Sequence, residues 1–99
     1  PPFFVCLDNE ILGFIGCKTI KPNTNDIGIM FFKKFQNCGF GKVSLNKFLD
    51  IYKKNYYNNN KIIISKILKQ NIASYKIFIS NGFKLDENKT TEELYYLKY

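Results

Sequence analysis

The apolar positions of the chain change period along its length, and each change marks an element. Phe3 to Leu7 is a short apolar run and Ile11 to Ile20 a longer one. Asp8-Asn9-Glu10 between them supplies turn residues, so the pair predicts an antiparallel hairpin. Pro1-Pro2 cannot join a central ladder. Gly13 and Gly16 interrupt the second run, which within a strand signals a bulge or a close backbone approach. Lys21-Pro22-Asn23-Thr24-Asn25 reads as a turn. Asp26 to Phe32 then alternates through Ile27, Ile29 and Phe31 and predicts a third strand.

From Val43 to Tyr56 the period becomes helical. Leu45, Phe48, Leu49, Tyr52 and Tyr56 fall on one apolar stripe, and Asn58-Asn59-Asn60 ends the helix. Lys61 to Leu68 is a nearly continuous isoleucine-rich run, the pattern of a central strand covered on both faces. A second helix is expected over Ile72 to Ser80, opened by Asn71 and closed by Asn81-Gly82, with Gly82 in the left-handed cap position. Phe83 to Leu85 starts another strand. Asp86 to Glu93 is a polar connection, and Leu94 to Lys98 is a last strand paired antiparallel to the one before. A length of 99 residues predicts one domain, 1–99.

Between the third strand and the first helix stands Gln36-Asn37-Cys38-Gly39-Phe40-Gly41-Lys42. A glycine-bearing turn from strand to helix leaves backbone N–H groups free at the positive end of the helix dipole, which suits an anion. Gly39 and Gly41 have no Cβ, so a phosphate can approach the backbone, and Lys42 is the nearest cation. The loop therefore predicts a pyrophosphate cradle. Its Q-x-x-G-x-G spacing is neither the P-loop nor the G-x-G-x-x-G pattern. On its own, it is equally a plain tight turn.

Composition narrows the chemistry. The net charge of +7 invites a nucleic-acid reading, yet all fifteen basic residues are lysine, with no arginine for bidentate grip. Twelve asparagines and thirteen isoleucines join the lysines as residues of A/T-rich codons, so genome composition accounts for the charge without such a partner. The charge still favours polyanionic ligands, coenzyme A among them. The three cysteines, Cys6, Cys17 and Cys38, are odd in number and form no C-x-x-C, which argues against a disulfide scaffold and a zinc site. Cys6 and Cys17 read as small buried residues. Histidine is absent, which excludes Ser-His and Cys-His catalysis within the chain. No apolar run is long enough to span a bilayer and no signal-peptide layout is present, so a cytoplasmic location is expected, with no membrane partner and no metal.

At Asn71 a second motif appears. Asn71-Ile72-Ala73-Ser74-Tyr75-Lys76, followed by Asn81-Gly82-Phe83, resembles the N-x-x-S…G-F signature of the GNAT acetyltransferase superfamily, and Gln36 to Gly41 resembles its Q/R-x-x-G-x-G/A loop. The strands Asp26-Ile27-Gly28-Ile29 and Ile11 to Gly16 fit the same arrangement, and the resemblance covers nearly the whole chain. It implies an α/β (α+β) fold with a mixed, mostly antiparallel sheet flanked by helices. It implies acetyl transfer from acetyl-CoA to a primary amine. The pantetheine arm would lie between strands Asp26–Phe32 and Lys61–Leu68, against the backbone of Ile29 and Phe31. The pyrophosphate would sit on the loop Gln36, Asn37, Cys38, Gly39, Phe40, Gly41 and Lys42, and Asn71 would touch the arm as well as capping its helix. Asp26 stands where members often carry an acidic residue able to steer a water as base.

Two departures from the family pattern shape the expectations. The chain begins at what resembles the family's second strand, which implies a fragment of a longer acetyltransferase or a short version that borrows an acceptor wall from a second copy. Seven residues after Asn71 the family often has a tyrosine as general acid; here the residue is Phe78, which holds no proton to give. An inactive CoA-binding module is therefore a rival to the enzyme, and a basic nucleic-acid binder a more distant one. The early strand Phe3–Leu7 is expected at a sheet edge, where a homodimer would cover it.

Overall fold

A computed structural model describes residues 2–7, 10–36, 39–55 and 62–99 of the chain. Strands β1 (Pro2–Leu7), β2 (Glu10–Lys21) and β3 (Thr24–Phe31) form an antiparallel meander. A short 3-10 turn, Lys33–Phe35, leads to helix α1 (Phe40–Asn55); strand β4 (Ile62–Leu68), helix α2 (Ile72–Ser80), β5 (Lys84–Leu85) and β6 (Leu94–Lys98) follow. The sheet has six strands in the order β1-β2-β3-β4-β6-β5. All neighbours are antiparallel except β3 and β4, which the crossover through α1 makes parallel. The expected mixed, mostly antiparallel sheet with flanking helices is the observed one.

Local boundaries moved for identifiable reasons. The turn predicted over Lys21–Asn25 shrinks to Pro22-Asn23, because Lys21 and Thr24 already pair across it. Thr19 Oγ1 then donates to the buried Asn25 Oδ1 at 2.8 Å, and Asn25 Nδ2 donates to the Tyr52 hydroxyl. That chain of polar groups ties α1 to β2 and β3. Helix α1 starts at Phe40, three residues before its expected start, because the positive φ of Gly39, 82°, turns the chain sharply into it. The 3-10 turn has no sequence signal beyond its lysines. β6 inserts between β4 and β5, an order the sequence left unset.

Both helices lie on one face of the sheet. Leu45, Phe48, Leu49 and Tyr52 of α1 and Phe78 of α2 pack with Ile15, Ile27, Ile63, Ile67, Phe83 and Leu97 into one core. The apolar stripe of α1 is thus the buried one, except that Tyr56 lies outside the described residues, as do Pro1, the hairpin residues 8–9 and the tract 56–61. On the other face no helix covers the sheet among the described residues, and Met30, Ile62 and Leu68 stand 47%, 39% and 51% exposed. The expectation that β4 is covered on both faces holds at its centre, where Ile63, Ile64 and Ser65 are buried in succession, and fails further along, where Lys66 and Leu68 emerge. Cys17 is half-buried rather than fully buried.

Glycine and caps sort cleanly. A Cβ at Gly13 would meet the Met30 carbonyl oxygen at 2.1 Å, the close backbone approach expected there. The register between β1 and β2 also shifts at this point, passing from Val5↔Gly13 to Cys6↔Ile11. Gly82 has φ 94° and ends α2 in a Schellman turn. Its N–H donates to Ile79 O at 3.1 Å, the Phe83 N–H donates to Phe78 O at 3.1 Å, and the two Phe rings meet edge-on at 4.9 Å.

Candidate active site

The parallel ladder between β3 and β4 is short. It pairs Thr24↔Ile62, Asn25↔Ile63 and Asp26↔Ile64 and then stops, although both strands continue. Just past the last pair, the buried Ser65 hydroxyl donates to Ile27 O at 2.8 Å and pins the apex of the resulting wedge. The Ile27 carbonyl thus points toward β4. Backbone groups two and four residues on share its side, so Ile29 and Phe31 turn their N–H and C=O groups into the wedge. An extended chain laid there would be a missing strand. From Ile27 to Phe31 the wall is about 13 Å long at the usual rise of a strand.

At the mouth of the wedge lies a cavity of about 470 Å3. Its lining includes Ile29, Phe31, Gln36, Gly39, Phe40, Gly41, Lys42 and Asn71, every described residue expected to hold the ligand. Asn37 and Cys38 lie outside the described residues. Of five further lining residues, Ala73 and Ser74 belong to the N-x-x-S motif, while Met30, Phe35 and Ile77 carried no sequence signal for the site. Asn71, Ala73 and Ser74 lie at the start of α2, so the cavity lies between two helix N-termini and beside the end of β3.

Individual residues also hold structural roles. A Cβ at Gly41 would stand 2.4 Å from Ile77 Cδ1, so α1 and α2 meet closely at this glycine and the end of Ile77 would have to shift for any larger residue. Gly39 is exposed, with nothing within 4 Å of a Cβ, and its positive φ is what asks for glycine. Gln36 Nε2 donates to Phe31 O at 3.1 Å, which closes the loop back onto the end of β3. Asn71 Oδ1 accepts from the Ser74 N–H at 3.2 Å, a helix cap, while the residue also lines the cavity. Asn81, quoted in the sequence only as a helix end, has a second task. Its Nδ2 donates to Ile77 O at 2.9 Å and to Lys42 O at 3.2 Å, so it clamps the end of α2 to the first turn of α1.

Asp26 is not in this cavity. It sits at the closed end of the wedge, with Oδ2 3.4 Å from Lys66 Nζ, on the open face of the sheet. Phe78 is not in the cavity either. It is 1% exposed and packs in the core, so the position that resembles the family's tyrosine faces the interior. Among the described residues no cluster of three or more His, Cys, Asp or Glu side chains is arranged to hold a metal ion, and no helix is long and apolar enough to cross a membrane.

The comparisons agree with this fold. The family model described as an acetyltransferase (GNAT) domain matches residues 2–84, and the chain belongs to the GNAT acetyltransferase family. The fold resembles that of Campylobacter jejuni N-acetyltransferase PseH in complex with acetyl coenzyme A, with a TM-score of 0.81 at 19% identity, over 99% of this chain and 65% of that one. A GNAT-family acetyltransferase from Bacillus anthracis gives a TM-score of 0.78 at 19% identity, over 99% and 63%. Spermidine N-acetyltransferase from Vibrio cholerae, in complex with CoA and spermine, gives 0.76 at 15%, over 91% and 58%. The chain thus spans less than two thirds of the length of these structures. A comparison with curated proteins gave no match.

Proposed function

We propose that the chain transfers an acetyl group from acetyl-CoA to a primary amine by direct attack of the amine on the thioester. The observation that carries this reading is the wedge: the β3–β4 ladder stops after Asp26↔Ile64 while both strands run on, and β3 leads to a cavity lined by the glycine loop. Acetyl-CoA fits it as an elongated ligand with an anionic end. Its pantetheine arm would pair with Ile29 and Phe31, and its pyrophosphate would meet the N–H groups at the start of α1 and the exposed Lys42. The thioester then lies toward the apex, where Asp26 can hold the incoming ammonium and take its proton. Wedge backbone N–H groups would stabilise the oxygen of the attacked carbonyl. With Phe78 unable to supply a proton, the departing thiolate takes one that the attacking amine gives up, relayed by water, and positioning supplies much of the rate. The structural neighbours named as N-acetyltransferases, one of them for spermidine, support an amine as acceptor.

Lys42→Glu tests the reading without disturbing packing, because Lys42 is exposed on the first turn of α1. Acetyl-CoA should raise the melting temperature of the unaltered protein and have much less effect on the variant, while the two proteins melt alike without ligand. Equal ligand shifts would place the pyrophosphate elsewhere. We also infer self-association, since β1 is an outer strand of the sheet and offers its edge to a second copy. Light scattering over a concentration series should show a dimer; a monomer throughout would overturn this.

A further inference from the structure

This inference rests on the acetyltransferase reading and concerns the acceptor side of the same site. On the open face of the sheet, at the apex of the wedge, lies a shallow recess of about 500 Å3 whose lining includes Gly16, Lys18, Asp26, Gly28 and Lys66. It touches both walls of the wedge, through Asp26 and Gly28 on β3 and Lys66 on β4. A thioester held at the apex would face it.

Two independent observations mark the recess as a ligand surface. The first is its floor. Gly16 and Gly28 are direct cross-strand partners, and a Cβ built at either meets nothing within 4 Å among the described residues. Neither glycine has a positive φ. Neither close packing nor turn geometry therefore asks for glycine at these positions, in strands that glycine weakens. What the pair does provide is a bare stretch of backbone on which a flat body can lie. The second observation is the charge around that floor. Asp26 has Lys18 as its cross-strand partner on β2 and Lys66 Nζ 3.4 Å from its Oδ2 on β4, so the recess carries one carboxylate and two lysines. A simple amine or a polyamine arrives as a cation and meets more positive than negative charge. An amine that carries its own anion matches the whole set.

We propose that the acceptor is a small primary amine that also bears a carboxylate or a phosphate. Its body lies on Gly16 and Gly28, Lys18 and Lys66 hold its anion, and Asp26 takes its ammonium in exchange for Lys66. Asp26 removes one proton, and the freed lone pair attacks the acetyl carbonyl carbon. The new C–N bond forms as the C–S bond breaks, and the electron pair leaves on sulfur. Of the two protons the ammonium loses in becoming an amide, one ends on the CoA thiolate and the other passes through Asp26 to water.

The test uses matched acceptors: glucosamine against glucosamine 6-phosphate, ethanolamine against phosphoethanolamine, and tyramine against tyrosine, with spermidine as the polycation. Two readouts are taken on the 99-residue chain. One is thiol release from acetyl-CoA. The other is the shift of the Gly16 and Gly28 amide resonances on adding each amine. The anionic member of at least one pair should have the higher kcat/KM by about fivefold or more, as expected for surface charge contacts. It should also move the two glycine resonances further. Lys18→Glu and Lys66→Glu should each erase the preference, and Gly28→Val should raise KM for the acceptor and leave KM for acetyl-CoA in place. Preference confined to the phosphate pairs, or to the carboxylate pair, identifies which anion is used. Equal or better performance by the neutral members or by spermidine overturns the proposal, as does a preference that survives both lysine changes. Failure to bind acetyl-CoA would instead sink the acetyltransferase reading. The glycine resonances would then decide the proposal alone, and no shift with any anionic amine would overturn it.

Discussion

Several single residues turn out to hold two duties, and substitutions can separate them. Asn71 caps α2 through the Ser74 N–H and also lines the cavity beside the glycine loop. Asn71→Ala should lose about 1 kcal/mol of stability as a lost cap. Asn71→Ser keeps a capping oxygen but loses the amide, so it should restore most of the stability without restoring affinity for acetyl-CoA. Urea denaturation and calorimetric titration of the two variants would show this, and full recovery of affinity in Asn71→Ser would leave Asn71 a cap alone. Phe78 has a single duty, since it packs in the core against Phe83. Phe78→Tyr would bury a hydroxyl there, at a cost of about 1–3 kcal/mol if it finds no partner. The expected outcome is a lower denaturation midpoint with no gain in turnover.

Between elements, the fit of α1 on α2 positions the cavity. Gly41 and Ile77 touch so closely that a single added methyl group forces a rearrangement, and Asn81 bolts the same two helices together through Lys42 O and Ile77 O. Gly41→Ala should cost about 1 kcal/mol or less, because the atom it meets is the end of the Ile77 side chain. Adding Ile77→Ala should recover part of that loss, a coupling that a double-mutant cycle on denaturation midpoints measures. Additive losses would mean that Ile77 swings aside without cost. These contacts also show why some elements were readable in the sequence and others were not. The period of Leu45, Phe48, Leu49 and Tyr52 exposed α1, and Asn81-Gly82 exposed the end of α2, because both signals are local. The insertion of β6 between β4 and β5 depends on pairing across distant segments, and no local pattern carries it. The spacing of the glycine loop, taken alone, read equally as a ligand loop and as a plain tight turn. That Gly41 answers to Ile77, 36 residues further on, was not legible at all, because a missing Cβ looks the same whichever neighbour requires it.

Over the whole molecule, the open face of the sheet and the wedge set the character of the fold. Three strands on one side and three on the other meet along only the three pairs from Thr24↔Ile62 to Asp26↔Ile64, with the Ser65 hydroxyl as the last stitch. The core beneath α1 spans the seam, but the sheet itself is nearly two sheets. Regions with separate backbone networks open to solvent separately, each with its own free energy. In native-state hydrogen exchange the empty protein should therefore show two protection levels, one for β1–β3 and another for β4 and β6. A ligand that binds only the closed wedge stabilises it by mass action. With acetyl-CoA at saturation the two levels should merge toward a single slow one, as the substrate becomes the strand that turns two cooperative units into one. Two levels that persist unchanged under saturating ligand would show that the seam was never the weak line.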